Sequence, residues 1–162
     1  MPSSAEQDRI VAALDRLQIE LPSWGFANTG TRFGKYLQPA AAVTTEEKIS
    51  DAAHVHALTG SCPSVALHVL WDFPRGVEDA DAVAGMAQAR GLRPGSINPN
   101  LFRDQIYKFG SFGNPSAEIR ARALAHSRDS IAIARRLKSR DLSMWGSSRR
   151  TTRLASFPAV LR

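Results

Sequence analysis

The chain has 162 residues, 43% of them hydrophobic and 22% charged, which suits one compact soluble domain with its own core. No apolar run approaches the length of a membrane span, no basic-then-apolar leader opens the chain, and a single cysteine (Cys62) rules out an internal disulfide. The expected address is the cytoplasm, with no membrane or nucleic-acid partner. The net charge of +6 invites a nucleic-acid reading, but Arg149, Arg150, Arg153 and Arg162 hold four of the charges in the last 17 residues, leaving +2 on the body.

In chain order, Ser3 and Glu6 are spaced as a capping box ahead of a helix with Ile10, Val11, Leu14 and Leu17 on one face. Residues 19–24 read as a short strand in which Pro22 is confined to an edge or an end. A long segment from Gly25 to Val43 follows, rich in glycine and turn-forming residues. Thr44 and Glu47 form a second capping box, opening a helix that Gly60 closes. Residues 64–70 are a nearly unbroken apolar strand with His68 close to its end and Trp71 and Asp72 directly after. A helix over 79–90 stops at Gly91, and a weaker strand runs over 92–97. The segment 98–113 carries Phe102, Tyr107, Phe109 and Phe112. Asn114 and Pro115 read as N-cap and first residue of a long helix with Ile119, Ala123, Leu124, Ile131 and Leu137. Residues 141–145 read as a fourth strand.

The alternation β-α-β-α-β-α-β behind an extra helix predicts an α/β fold with a parallel sheet. Strand onsets near 64, 93 and 141 leave room for four strands. A closed eight-stranded barrel needs at least ~200 residues. The chain therefore reads as a partial barrel or a small open sheet.

Ligands of parallel α/β proteins bind at the C-terminal ends of strands, so His68, Trp71 and Asp72 are the first site candidates. His68 either orients a substrate and moves a proton, or is a structural histidine tied to a backbone carbonyl. Trp71 is an apolar wall or a core residue, and Asp72 holds a side chain or caps a turn. His54 and His56 lie two apart on a helix, point away from each other and read as solvated, as does His126. Arg32 and Lys35 read as solvated loop charges, since Gly30–Gly34 lacks the Lys-Ser/Thr of a phosphate loop. No complete metal-ligand pattern is present in the chain.

Three stretches resemble a known family: Leu21-Pro22-Ser23-Trp24-Gly25-Phe26-Ala27-Asn28-Thr29-Gly30-Thr31-Arg32-Phe33-Gly34-Lys35, Val65-Ala66-Leu67-His68-Val69-Leu70-Trp71-Asp72, and Gly95-Ser96-Ile97-Asn98-Pro99-Asn100-Leu101-Phe102. Together, over about residues 10–145, they resemble bacterial L-rhamnose isomerase, an aldose–ketose sugar isomerase in the xylose isomerase-like TIM-barrel superfamily. The resemblance implies a partial (β/α)8 TIM barrel of about four βα units over residues 1–145, and conversion of L-rhamnose to L-rhamnulose assisted by two divalent cations, commonly manganese. It implies that His68 is catalytic and contacts the sugar, that Trp71 walls the substrate, and that Phe33 reaches a neighbouring subunit's site in a homotetramer. The family's metal ligands lie on later strands, so no metal is expected to bind this chain. Residues 146–162 then read as a disordered or out-of-frame tail, and the chain as an inactive, poorly soluble fragment. The alternatives are a non-catalytic half-barrel that pairs with a complementary chain, and a related barrel sugar epimerase.

Overall fold

A computed structural model describes residues 3–28 and 37–145, so Phe33, Arg32, Lys35 and the basic tail lie outside the described residues. Three short strands form one parallel sheet in the order β1 (Glu20–Pro22), β2 (Ser64–His68), β3 (Arg93–Asn98). Helices α2 (Thr45–Thr59), α4 (Ala80–Gln88) and α5 (Ala117–Arg136) connect and follow them, with α1 (Ser4–Leu14) in front and a single helical turn, α3 (Val69–Asp72), after β2. Each strand pairs with its successor in the sequence. Such an order keeps the crossovers running one way, and their common handedness places the connecting helices on one side of the sheet.

That side is the core. Val65 and Leu67 of β2 and Ile97 of β3 pack with Ile49 and Ala52 of α2, Val83 and Ala87 of α4, and Ile133 of α5, all but Val83 wholly inaccessible. Period-two alternation sends Ser64, Ala66 and His68 to the opposite face. There the Glu20 carboxylate crosses β2 to take hydrogen bonds from the backbone N–H and hydroxyl of Ser96. Gly95 lies beneath it, and a Cβ at that position would overlap the Glu20 carboxyl group, which would have to swing away from Ser96.

The α2 boundaries follow from its caps. Thr44 and Glu47 exchange both hydrogen bonds of a capping box, and Gly60 ends the helix at φ +69°. At α1 only half of the predicted box forms, with the Glu6 N–H donating to Ser3 Oγ. Its apolar residues Ile10, Val11 and Leu14 are all more than half exposed, so the stripe predicted to face a core is uncovered among the described residues.

Three further expectations change. The strand predicted over 64–70 ends at His68, since Asp72 accepts the His68 N–H and His68 Nδ1 accepts the Leu70 N–H, pulling the chain into a helical turn. Local side-chain bonds to the backbone thus end a run that propensity alone would extend. The long helix starts at Ala117 rather than Pro115: Asn114 spends its side chain on the Gly110 carbonyl and the Ser116 N–H. The fourth strand is reduced to one parallel bridge between Ile97 and Leu142.

Gly95→Ala is expected to lower unfolding free energy by ~1–3 kcal/mol, as overpacking does. Adding Glu20→Ala should recover most of that loss, and urea titrations of the single and double variants measure the non-additivity.

Candidate functional site

At the C-terminal rim of the sheet, the Asp72 carboxylate, 1% exposed, joins three segments. Its Oδ2 accepts from Ser23 Oγ at 2.5 Å and from the His68 backbone N–H at 2.8 Å, while its Oδ1 accepts from Lys48 Nζ at 2.7 Å. Lys48 also donates to the Trp71 carbonyl at 3.4 Å, and Thr45 Oγ1 to the Asp72 carbonyl at 3.5 Å. A buried charge pair is tolerated only when its remaining donors and acceptors are satisfied, and here three donors converge on the carboxylate. Asp72 is therefore neither a turn cap alone nor a free acid; it fixes the strand exit.

The ring of His68 sits on that scaffold. Its centroid lies 3.8 Å from that of Trp71 in a near-parallel stack, and Trp24 meets it edge-on at 5.9 Å. Trp24 and Trp71 are 6.4 Å apart, and the Arg103 guanidinium lies 5.1 Å over the Trp71 ring. Because Nδ1 accepts the Leu70 N–H at 3.2 Å, the neutral ring carries its proton on Nε2. That nitrogen is buried and has no hydrogen-bond partner among the described residues. Burial pushes the imidazole down to about 4, opposed by the Asp72 carboxylate and reinforced by the Arg103, His126 and Lys48 charges. At neutral pH His68 is an uncharged donor held among indoles, suited to a neutral oxygen rather than to accepting a proton.

The sequence candidates divide accordingly. His68, Trp71 and Asp72 are brought together. His54 is exposed and bonded to the Ser50 carbonyl, and His56 is half-buried on the same helix, away from the strand exit. His126, expected to be solvated, is half-buried instead: its Nε2 accepts the Asn100 N–H at 2.9 Å, securing the segment after β3 to α5. Sequence reasoning missed Trp24, Ser23, Lys48 and Arg103 as members of the site. Trp24 stood inside a quoted motif but was read only as a strand end. Lys48 had a signal, since it falls beside Ile49 and four residues before Ala52 on the apolar face of α2. Among the described residues no three His, Cys, Asp or Glu side chains gather closely enough to hold a metal ion.

A parallel α/β unit with an aromatic-lined histidine at its strand exits defines the class. No family model matches the chain. It is 32% identical over 143 residues, 85% of its length, to a Rhizobium meliloti protein named "Probable sugar isomerase". It is 34% identical over the same extent to a protein of that name from Mesorhizobium japonicum. The chain spans about a third of the length of these curated relatives, 33% and 32% respectively. No helix among the described residues is long and apolar enough to cross a membrane.

Lys48→Met is expected to cost ~3 kcal/mol, the lower end for breaking a buried ion pair because Ser23 and the His68 N–H still serve Asp72. Urea unfolding followed by near-UV circular dichroism of the stacked tryptophans checks it. His68 also makes stability depend on pH. Its folded value near 4 lies below the ordinary 6.5, so between those limits the unfolded chain binds more protons, and stability falls as pH drops. Subtracting the urea-midpoint profile of His68→Gln from that of the parent chain should isolate a positive slope across pH 4 to 6.5.

Proposed function

We propose that the chain is the N-terminal, sugar-contacting part of an aldose–ketose isomerase of the L-rhamnose isomerase type, built as the first βα units of a (β/α)8 barrel. The observation that carries this reading is the neutral His68 with an unpartnered Nε2–H, set against Trp71 and Trp24 at the exit of a central strand. Sequential parallel strand order is compatible with a barrel wall, and the relatives named "Probable sugar isomerase" support a sugar-isomerase reading.

In this reading His68 donates to the sugar ring oxygen or O1, orienting the substrate without taking its proton. Trp71 holds the imidazole by stacking, and Trp24 adds an apolar wall. Phe33 belongs to a neighbouring subunit's site in a cytoplasmic homotetramer. Two divalent cations, commonly manganese, would polarise the sugar oxygens in the whole enzyme. The described side chains do not form a donor set that fits them, and no step assigned here runs through a metal.

A second reading, a non-catalytic half-barrel completed by a complementary chain, is favoured by the uncovered stripe of Ile10, Val11 and Leu14. Both readings give the same expectation for this chain alone: sugar binding without turnover.

L-rhamnose is expected to change the tryptophan emission saturably, and His68→Gln to weaken that binding about fivefold, the worth of one hydrogen bond. Conversion of L-rhamnose to L-rhamnulose by the chain with manganese would overturn the expectation of inactivity. Conversion to an epimer would move the assignment to a sugar epimerase. Absence of any sugar-dependent emission change would sink the sugar reading.

A further inference from the structure

The rim holds a second buried side-chain atom without a partner among the described residues, Asn100 Oδ1. Asn100 follows β3 and is 4% exposed; Asn98, two residues earlier, stands in register with His68 on the neighbouring strand. The Asn100 backbone N–H donates to His126 Nε2, and the Asn100 side-chain Nδ2 donates to Asp104 Oδ1 at 3.0 Å. A carboxylate only accepts, so Asp104 fixes which way the amide lies: the NH2 faces Asp104, and Oδ1 is left over. Leu101 and Tyr107, packed with Ala123 of α5, hold this segment in place.

Among the described residues three buried side-chain nitrogen or oxygen atoms have no hydrogen-bond partner. One, His56 Nδ1, lies on α2. The other two are His68 Nε2 and Asn100 Oδ1, one at the exit of β2 and the other just beyond β3. Native proteins rarely leave buried polar atoms unpaired, and two beside adjacent strand ends point to a ligand that supplies both complements.

The two atoms differ in kind, which restricts that ligand. His68 Nε2–H needs an acceptor, and Asn100 Oδ1 needs a donor. A carboxylate or phosphate satisfies the histidine and repels the amide oxygen. An ammonium group does the reverse. Neighbouring hydroxyls do both, and they require no charge at the uncharged imidazole. We propose that Asn100 is a second substrate-binding side chain, whose Oδ1 accepts from a hydroxyl near the sugar oxygen held by His68. Asp104 acts through Asn100, as the positioning residue that keeps the amide in this orientation. This inference rests on the sugar-binding reading above.

The test uses the full chain and calorimetric titration with L-rhamnose and its 2-, 3- and 4-deoxy analogues. Asn100→Ala should weaken L-rhamnose binding about five- to tenfold. One deoxy analogue should bind the parent chain that much more weakly and Asn100→Ala no more weakly still, the signature of a shared hydrogen bond. Asp104→Lys, at an exposed position, should weaken L-rhamnose similarly, because an ammonium only donates and so turns to Asn100 Oδ1 and occupies it. That variant carries the test if Asn100→Ala fails to fold. Equal losses for every analogue, or unchanged binding in both variants, would overturn the Asn100 assignment while leaving sugar binding intact. A parent chain that binds none of the sugars would overturn the underlying reading instead, and this one with it.

Discussion

A carboxylate with almost no accessible surface has to be answered by donors, and the arrangement around Asp72 follows from that requirement. The donors come from Ser23 just past β1, from Lys48 in α2, and from the backbone at the end of β2. These segments lie far apart in the chain, so satisfying one carboxylate fixes the relative positions of two strand exits and the helix between them. The hydrophobic core clamps the sheet against its helices, but it is non-directional and does not by itself specify a geometry at the rim. The ion pair does. Its net contribution to stability is small beside its desolvation cost, and positional definition is the better account of its presence.

The chemistry of His68 depends on the same turn. Once Asp72 takes the His68 N–H, the chain leaves the sheet, and the Leu70 N–H comes round to meet Nδ1. That bond decides the tautomer and leaves the proton on Nε2. Burial then disfavours a second proton, so the ring persists as a neutral donor through the physiological range. A residue able in principle to act as acid or base is confined here to presenting a hydrogen bond. A polar ring buried in a strand had two readings in the sequence; the structure ties its Nδ1 to the backbone and leaves Nε2 without a partner among the described residues.

How much of this was legible depended on the range of the interactions involved. The α2 caps, the helix stop at Gly91 and the alternation of strands and helices are local or periodic signals, and they appear in the described residues close to where the sequence places them. The cluster of His68, Trp71 and Asp72 was legible because it is contiguous. Its partners were not: Ser23 and Lys48 lie 49 and 24 residues from Asp72, and a lysine is ordinarily read as solvated. The end of β2 was misplaced because hydropathy continues through Leu70, while the bond that ends the strand is made by an acidic side chain two residues further on. His126 was misread for a related reason, its acceptor nitrogen being claimed by a backbone N–H 26 residues away. The resemblance to L-rhamnose isomerase located the motifs without showing which atoms in them remain unpaired.

The two faces of the sheet also differ in what they ask of a partner. The helix side is closed by aliphatic residues and needs nothing more. On the other side the Glu20 carboxylate reaches Ser96 across β2, and His68 and Asn98 stand side by side in register at the rim. Residues of this kind tolerate water, so an open inner face does not by itself expose an apolar surface. Exposed apolar residues occur on α1, where Ile10, Val11 and Leu14 form a stripe with no core beneath it among the described residues, and at the rim, where Leu70 and Phe102 are partly open. The described unit therefore presents two unlike surfaces: an apolar stripe on α1, and a polar sheet face whose rim carries a donor and an acceptor without partners among the described residues. Among the described residues, none of the hydrogen bonds and ring contacts of His68 and Asn100 comes from α1, so the rim takes its geometry from the turn after β2, the segment after β3 and α5 rather than from that stripe.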